Sequence, residues 1–249
     1  MLRSIAFAVF LGAVGCGQSE AGQCNRFALA VATDPVPYQY PEGLERATTL
    51  LQRPPAQADV VLIGDSLAAN WPADMARRQF GTDRIWNFAV GGSVTQNTLW
   101  QIGKLKDDQT KPSTLVVVIG TNNLTREDMP ACAIAAGIKA VVAAAHMRWS
   151  SAAVNVMGIP PRGIDFRFRN DARLAVNAEM RDWAKALPYL RYFEADASEI
   201  TCGLYDAPLR ATAAKGHQEP ACANYADDFG HFRRPGYDVI YSVLKRASR

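Results

Sequence analysis

The sequence predicts an α/β domain of three layers, α/β/α, built on a five-stranded parallel sheet. Three observations carry this. Apolar, β-branched runs alternate with segments of helical periodicity from residue 59 onward. That alternation implies right-handed crossovers and a sheet covered on both faces. The 249 residues, 49% hydrophobic and 20% charged, suit one sizeable domain, with no internal repeat.

The first residues read as an export signal. Arg3 precedes an apolar stretch, Ile5 to Val14, that is too short to span a bilayer and leads into small and polar residues. Residues 1–21 are therefore expected to be a signal peptide. Two processing readings compete: cleavage after Ser19-Glu20-Ala21, or a lipobox at Ala13-Val14-Gly15-Cys16 with lipid on Cys16. No later segment reads as a membrane span, so membrane contact is expected only through that lipid. The protein is expected to be periplasmic or extracellular.

Residues 22–58 carry five prolines and read as an extended arm with one helix near Leu44 to Gln52. The main domain, 59–249, then begins with a strand at Asp59–Ile63 and a helix at Asn70–Phe80, with Pro72 near its first turn. Ile85–Phe88 is the second strand and Val94–Leu105 a helix with Leu99 and Ile102 at helical spacing. Thr114–Ile119 reads as the central strand. An alanine-rich helix, Met129–Trp149, follows. Ala153–Met157 is the fourth strand, Asp171–Leu187 a helix, Tyr189–Phe193 the fifth strand, and Pro235 opens a last helix.

Five cysteines are present. Removing or lipidating Cys16 leaves four, an even number in an exported chain. Cys202–Cys222 is the favoured local pair, closing a turn-rich insert for about 3 kcal/mol in the chain-entropy model. Cys24–Cys132 would then tie the arm to the body. Free buried thiols are the alternative.

In a parallel sheet, ligands sit outside the carboxyl ends of the strands. Gly64-Asp65-Ser66 follows the first strand, "NFAVGGS" the second and "GTNN" the third. Each alone is weak, since adjacent glycines usually just make a turn. Together they place a serine oxygen, unshielded backbone N–H groups and an amide on one rim. A serine needs a base, and histidine titrates near ~6.5. Of three histidines, His146 falls inside a predicted helix and His217 in the insert. His231, in "DDFGHFRRPGY", has Asp228 three residues earlier, close enough in one turn to hold a ring N–H. The plainer reading of Asp228 is a helix cap.

The blocks "GDSL", "NFAVGG", "GTNN" and "DFGH", in this order, resemble the GDSL/SGNH hydrolase family, most closely its platelet-activating-factor acetylhydrolase type. The resemblance runs from about Asp59 to Leu244. It implies a flavodoxin-like strand order, Ser66 as nucleophile, His231 as general base and acid, and Asp228 as its orienting partner. It implies an oxyanion hole of the Ser66 and Gly92 backbone N–H groups and the Asn122 side-chain amide. Asp65, Leu67 and Gly230 flank these groups and are expected at the substrate site, Asp65 chiefly by shaping the turn through backbone hydrogen bonds. Gly230 stands where the acetylhydrolase relatives carry a larger apolar residue, which leaves acetyl specificity open.

Arg162, Arg167, Arg169 and Arg173 read as a solvated face. The sharper alternative is recognition of an anionic or glycan substrate, together with Arg233 and Arg234. Trp71 is the tryptophan expected nearest the site, although core packing is the default for all five. A net charge of +3 points to no nucleic-acid partner, and no metal or phosphate-loop motif appears. The expectation is an esterase needing no cofactor and acting on small acyl esters of a glycan or lipid. An O-acetyltransferase or a non-catalytic carbohydrate-binding scaffold are the alternatives. Nothing in the sequence sets the oligomeric state.

Overall fold

The computed structural model describes residues 24–106, 110–207 and 222–248. The expected leader, Cys16 and His217 lie outside them. The arm is more ordered than expected. It forms two helices, not one: α1, Arg26–Thr33, capped by the Asn25 side chain on the Ala28 N–H, and α2, Pro41–Gln52, with Pro41 in its first turn.

The sheet begins with β1, Val60–Gly64, and leads into a single helical turn, α3, Ser66–Ala69. The helix expected from Asn70 starts later, as α4, Ala73–Phe80, because Pro72 caps it and Asn70 closes α3. Then come β2, Ile85–Asn87, α5, Thr95–Lys104, β3, Thr114–Val118, and a short α6, Thr121–Leu124. The long α7, Ala131–Arg148, precedes β4, Ala153–Met157, as expected. The chain closes with α8, Asn170–Ala184, β5, Leu190–Phe193, α9, Ala197–Ile200, and α10, Arg234–Ala247.

The five strands are all parallel, in the order β2-β1-β3-β4-β5. Alternate side chains feed two cores, as the period of a strand requires. Val61, Ile63, Leu115, Val117, Val154 and Val156 pack with α1, α5, α7 and α8. Val60, Leu62, Val116, Val118 and Phe193 pack with α3, α4 and α10.

Contrary to expectation, one later segment, α7, is long and apolar enough by composition to cross a membrane. Its apolarity has another use here. Ile134, Ile138, Val141 and Val142 are buried in the core against the sheet. Helix α5 shows the opposite surprise: Thr95, Gln96, Asn97, Thr98 and Gln101 are buried although polar. The arm satisfies some of them and Asn123 and Val94 satisfy others. Asn97 Nδ2 donates to the Val36 carbonyl (3.0 Å) and Thr95 Oγ1 to that of Ala32 (2.9 Å).

Both expected disulfides are present, Cys24–Cys132 and Cys202–Cys222. The first ties the arm to α7. The second closes the insert, most of which, 208–221, lies outside the described residues.

Candidate active site

The sheet explains why a serine stands at its edge. Gly64, the last residue of β1, has φ +136°, and a Cβ there would lie 1.7 Å from the Val118 carbonyl oxygen of the neighbouring strand. Only glycine lets the chain turn so close to β3. Asp65 then caps α3, accepting the Leu67 N–H at 2.9 Å. Ser66 is thereby placed at the N1 position, half-buried, with its side chain toward the rim.

Three side chains form a row. Ser66 Oγ lies 2.8 Å from His231 Nε2, and His231 Nδ1 lies 2.5 Å from Asp228 Oδ2. Asp228 Oδ1 accepts the backbone N–H groups of Gly230 (2.9 Å) and His231 (3.0 Å), so the carboxylate is fixed from both sides. Partial burial pushes the Asp228 carboxyl up. The His231 ring and these backbone donors more than offset that and hold it near about 2. The ionised carboxylate keeps the proton on Nδ1, which leaves Nε2 to accept the Ser66 hydroxyl proton.

The histidine loop is not carried by a strand. It is seated by the Tyr225–Phe232 bridge, by Ala226 N donating to the His231 carbonyl (2.8 Å) and by the Tyr225 hydroxyl on the Pro161 carbonyl (2.7 Å).

The groups expected as oxyanion donors lie on the neighbouring loops. The Ser66 and Gly92 backbone N–H groups have no acceptor among the described residues. Gly92 has φ +74°, and a Cβ on Gly91 would lie 3.8 Å from Ser66 Cβ, so the glycine turn rests against the serine. Asn122, in the first turn of α6, donates through Nδ2 to the Ser93 carbonyl at 3.0 Å. That bond orients the amide and leaves its second N–H available.

Asp65 and Leu67, expected at the substrate site, are corrected by burial. They are 0% and 1% exposed, so neither side chain can touch a bound molecule. Asp65 is purely a part of the turn. Burial pushes its carboxyl up to about 7, against the Leu67 and Thr121 N–H groups and the nearby Arg162 guanidinium. Gly230 does stand at the rim, where a Cβ would lie 3.6 Å from Arg162 Nη2.

The arginines are not a solvated face. Arg173 is 1% exposed, held by Asn170 Oδ1 (2.8 Å) and facing Glu194 at 3.6 Å. Arg169 donates to the Leu124 and Met129 carbonyls, and Arg167 to that of Tyr205. Arg233 and Arg234 pair with Asp227 and Asp74. Arg162 differs: it donates to Thr121 O and Oγ1 (both 3.1 Å) and pairs with no carboxylate among the described residues. Trp71 is core, its indole N–H on Gln79 and its ring against Tyr237. His146 is stacked on Tyr189, remote in role from Ser66. A groove of about 910 Å³ between α8, β5 and α10 is lined by none of Ser66, His231 and Asp228.

Sequence reasoning missed the arm's part in the site. The Tyr40 hydroxyl donates to the Gly91 carbonyl, Arg46 Nε to that of Ala89 (3.1 Å), and Tyr38 bonds both Ser93 Oγ (2.9 Å) and Gln101 Oε1 (2.8 Å). No spacing in the sequence signals these contacts.

The model of the GDSL-like Lipase/Acylhydrolase family matches residues 56–239. The chain is 31% identical over 171 residues to Platelet-activating factor acetylhydrolase IB subunit alpha1 of Bos taurus, covering 66% of this chain and 72% of that protein. The Homo sapiens subunit gives 31% over 66% and 73%. Among solved structures, a GDSL-like lipase from Bacteroides thetaiotaomicron shares the fold with a TM-score of 0.53 at 17% identity, over 82% of this chain and 95% of that one.

Proposed function

The chain belongs to the GDSL-like lipase/acylhydrolase family and is an ester hydrolase, and on that premise we propose that it is an exported serine esterase that removes small acyl groups, acetyl first among them, from a glycan or lipid. The observation that carries this reading is the unbroken row Ser66–His231–Asp228 at 2.8 and 2.5 Å.

In the proposed reaction, Ser66 Oγ attacks the ester carbonyl carbon while its proton passes to His231 Nε2. The carbonyl oxygen takes the negative charge and is received by the N–H groups of Ser66 and Gly92 and by Asn122 Nδ2–H. Asp228 steadies the imidazolium. The tetrahedral centre collapses, the C–O bond to the alcohol breaks, and the leaving oxygen takes the proton from His231. Water, deprotonated by His231, then attacks the acyl carbon; its bond to Ser66 Oγ breaks, Oγ takes the proton back from His231, and the free acid leaves.

Two disulfides support export, since such bonds persist in oxidising compartments. The reading includes a leader over residues 1–21, processed by cleavage or by lipid on Cys16, an arm over 22–58 and the hydrolase domain from 59. The names of the relatives support acetyl. The openness of the row, with the His231 side chain 42% exposed, supports an alcohol too large to be enclosed.

A fluorophosphonate probe should label the protein, and Ser66→Ala should abolish labelling. A chromogenic ester panel of rising acyl length should show turnover falling beyond the shortest acyl groups. Labelling that survives Ser66→Ala, or highest turnover on long acyl chains, would refute the corresponding part.

A further inference from the structure

We infer that Tyr40, from the N-terminal arm, is a positioning residue that aims the Gly92 N–H at the developing oxyanion by holding the Gly91 carbonyl. This rests on the reading of Ser66 as nucleophile and concerns a residue outside the stretch matched by the family, 56–239.

The argument starts from one peptide group. The carbonyl of Gly91 and the N–H of Gly92 belong to the same planar unit, and no cis peptide bond occurs among the described residues. In a trans unit the two groups point in opposite directions. Whatever fixes the carbonyl therefore fixes the N–H. The Tyr40 hydroxyl donates to that carbonyl.

Such a unit needs fixing. It lies between two glycines, so no Cβ on either side resists its rotation. A peptide turned over would present a carbonyl, not an N–H, to the substrate oxygen. Gly92 N–H has no acceptor among the described residues that could hold it. The neighbouring carbonyls are each tied: Phe88 by Gln101 Nε2 (3.0 Å), Ala89 by Arg46, Val90 by Ser93 Oγ (2.6 Å) and Ser93 by Asn122. Tyr40 supplies the tie for Gly91.

The tyrosine is itself rigid. It is the cap residue of α2, immediately before Pro41. Its ring covers Gly43 so closely that a Cβ there would fall 2.2 Å from Cε2. It meets Tyr38 edge-on at 5.8 Å. Its hydroxyl also stands 2.9 Å from where a Gly92 Cβ would be, so the same atom that orients the turn bars any larger residue from it. Burial raises its pKa, keeping the hydroxyl a donor. The arm carrying it is anchored by Cys24–Cys132.

Tyr40→Phe keeps the ring and removes only the tie. In the full exported chain, kcat on a short-chain chromogenic ester should fall about tenfold or more, with KM within about twofold, because the lost interaction belongs to the transition state. In protein labelled with 15N-glycine, the Gly92 amide resonance should shift or broaden while its melting temperature stays near that of the wild type. A kcat within about twofold of wild type would overturn the inference. So would a fall in kcat with the Gly92 resonance unchanged, or a rise in KM alone. Full turnover by Ser66→Ala would instead strike the nucleophile assignment on which the inference depends.

Discussion

Replacing Asn122 with alanine takes away two hydrogen bonds at once, and the two should register in different measurements. One N–H of the amide already goes to the Ser93 carbonyl at 3.0 Å. The other is free for the oxyanion. Losing the first is a ground-state event worth about 1 kcal/mol or less in a half-buried place. For a domain of this size that lowers the melting temperature by about 2–4 °C. Losing the second is felt only as charge develops. A well-aimed oxyanion donor is worth about 2.7–4 kcal/mol, or ~10²–10³ in kcat, and the openness of this site favours the lower end. The expected result for Asn122→Ala is thus a kcat about a hundredfold down, a KM near wild type and a small thermal shift. Asn122→Asp is nearly isosteric yet should be worse. Its oxygen would face both the Ser93 carbonyl and the oxyanion, repelling each. Steady-state kinetics on a chromogenic acetyl ester and thermal unfolding decide it. A kcat within about threefold of wild type in the alanine variant, or an aspartate variant faster than the alanine one, would remove Asn122 from the hole.

Asp228→Asn should cut kcat by about 10³–10⁴ with little change in KM, since the imidazolium loses the charge that supports it; steady-state turnover near wild type would refute the role. Asp65→Asn should gain stability relative to wild type as pH rises. Below pH ~4 the carboxyl is neutral in both folded and unfolded chains; from there to about 7 only the unfolded chain ionises, and wild-type stability falls by an amount on the order of 4 kcal/mol before levelling off. Denaturant unfolding at pH 5 and pH 8 reads this, and a stability difference independent of pH would refute it. Replacing Cys202 and Cys222 together with alanine should cost about 3 kcal/mol, near 6–12 °C in melting temperature, and an unchanged transition would refute the tie. Arg162→Ala should raise KM about tenfold for an ester carrying a carboxylate and leave its neutral analogue nearly untouched; equal effects on both would show that Arg162 meets no substrate charge.

The strands were legible because a parallel strand buried on both faces reads as a plain apolar run. Thr114–Val118 and Ala153–Met157 need no tertiary information to be seen. Helices of a single turn were not: α3, α6 and α9 are four residues each, too short to show a period. Helix α1 was hidden by the prolines beyond it, which made the whole segment read as extended. Arg173 shows a different limit. Composition places an arginine in water, and only the fold supplies Asn170, Glu194 and the Ile159 carbonyl that let it be buried. At the site, Ser66, Asp228 and His231 could be named because strand ends and a three-residue spacing suffice to suggest them. Tyr40 could not, since it comes from a segment 51 residues before the carbonyl it holds.

The sheet alone does not build this site. It delivers Ser66, the Gly91-Gly92 turn and Asn122 to one rim, as parallel topology requires. It does not hold the peptide between Gly91 and Gly92, which the arm does, nor the His231 ring, which a loop between α9 and α10 presents. Those two contributions are the ones tied by disulfides. Cys24–Cys132 secures the arm across a separation of 108 residues, and Cys202–Cys222 secures the chain two residues before Asn224, whose carbonyl accepts the Arg233 N–H at the end of the histidine loop. The core formed by the sheet and α7 takes in Ala28 and Ala32 of the arm but no residue of the histidine loop. Reduction of these bonds is therefore expected to loosen the Gly91-Gly92 peptide and the His231 loop together with the packing around them.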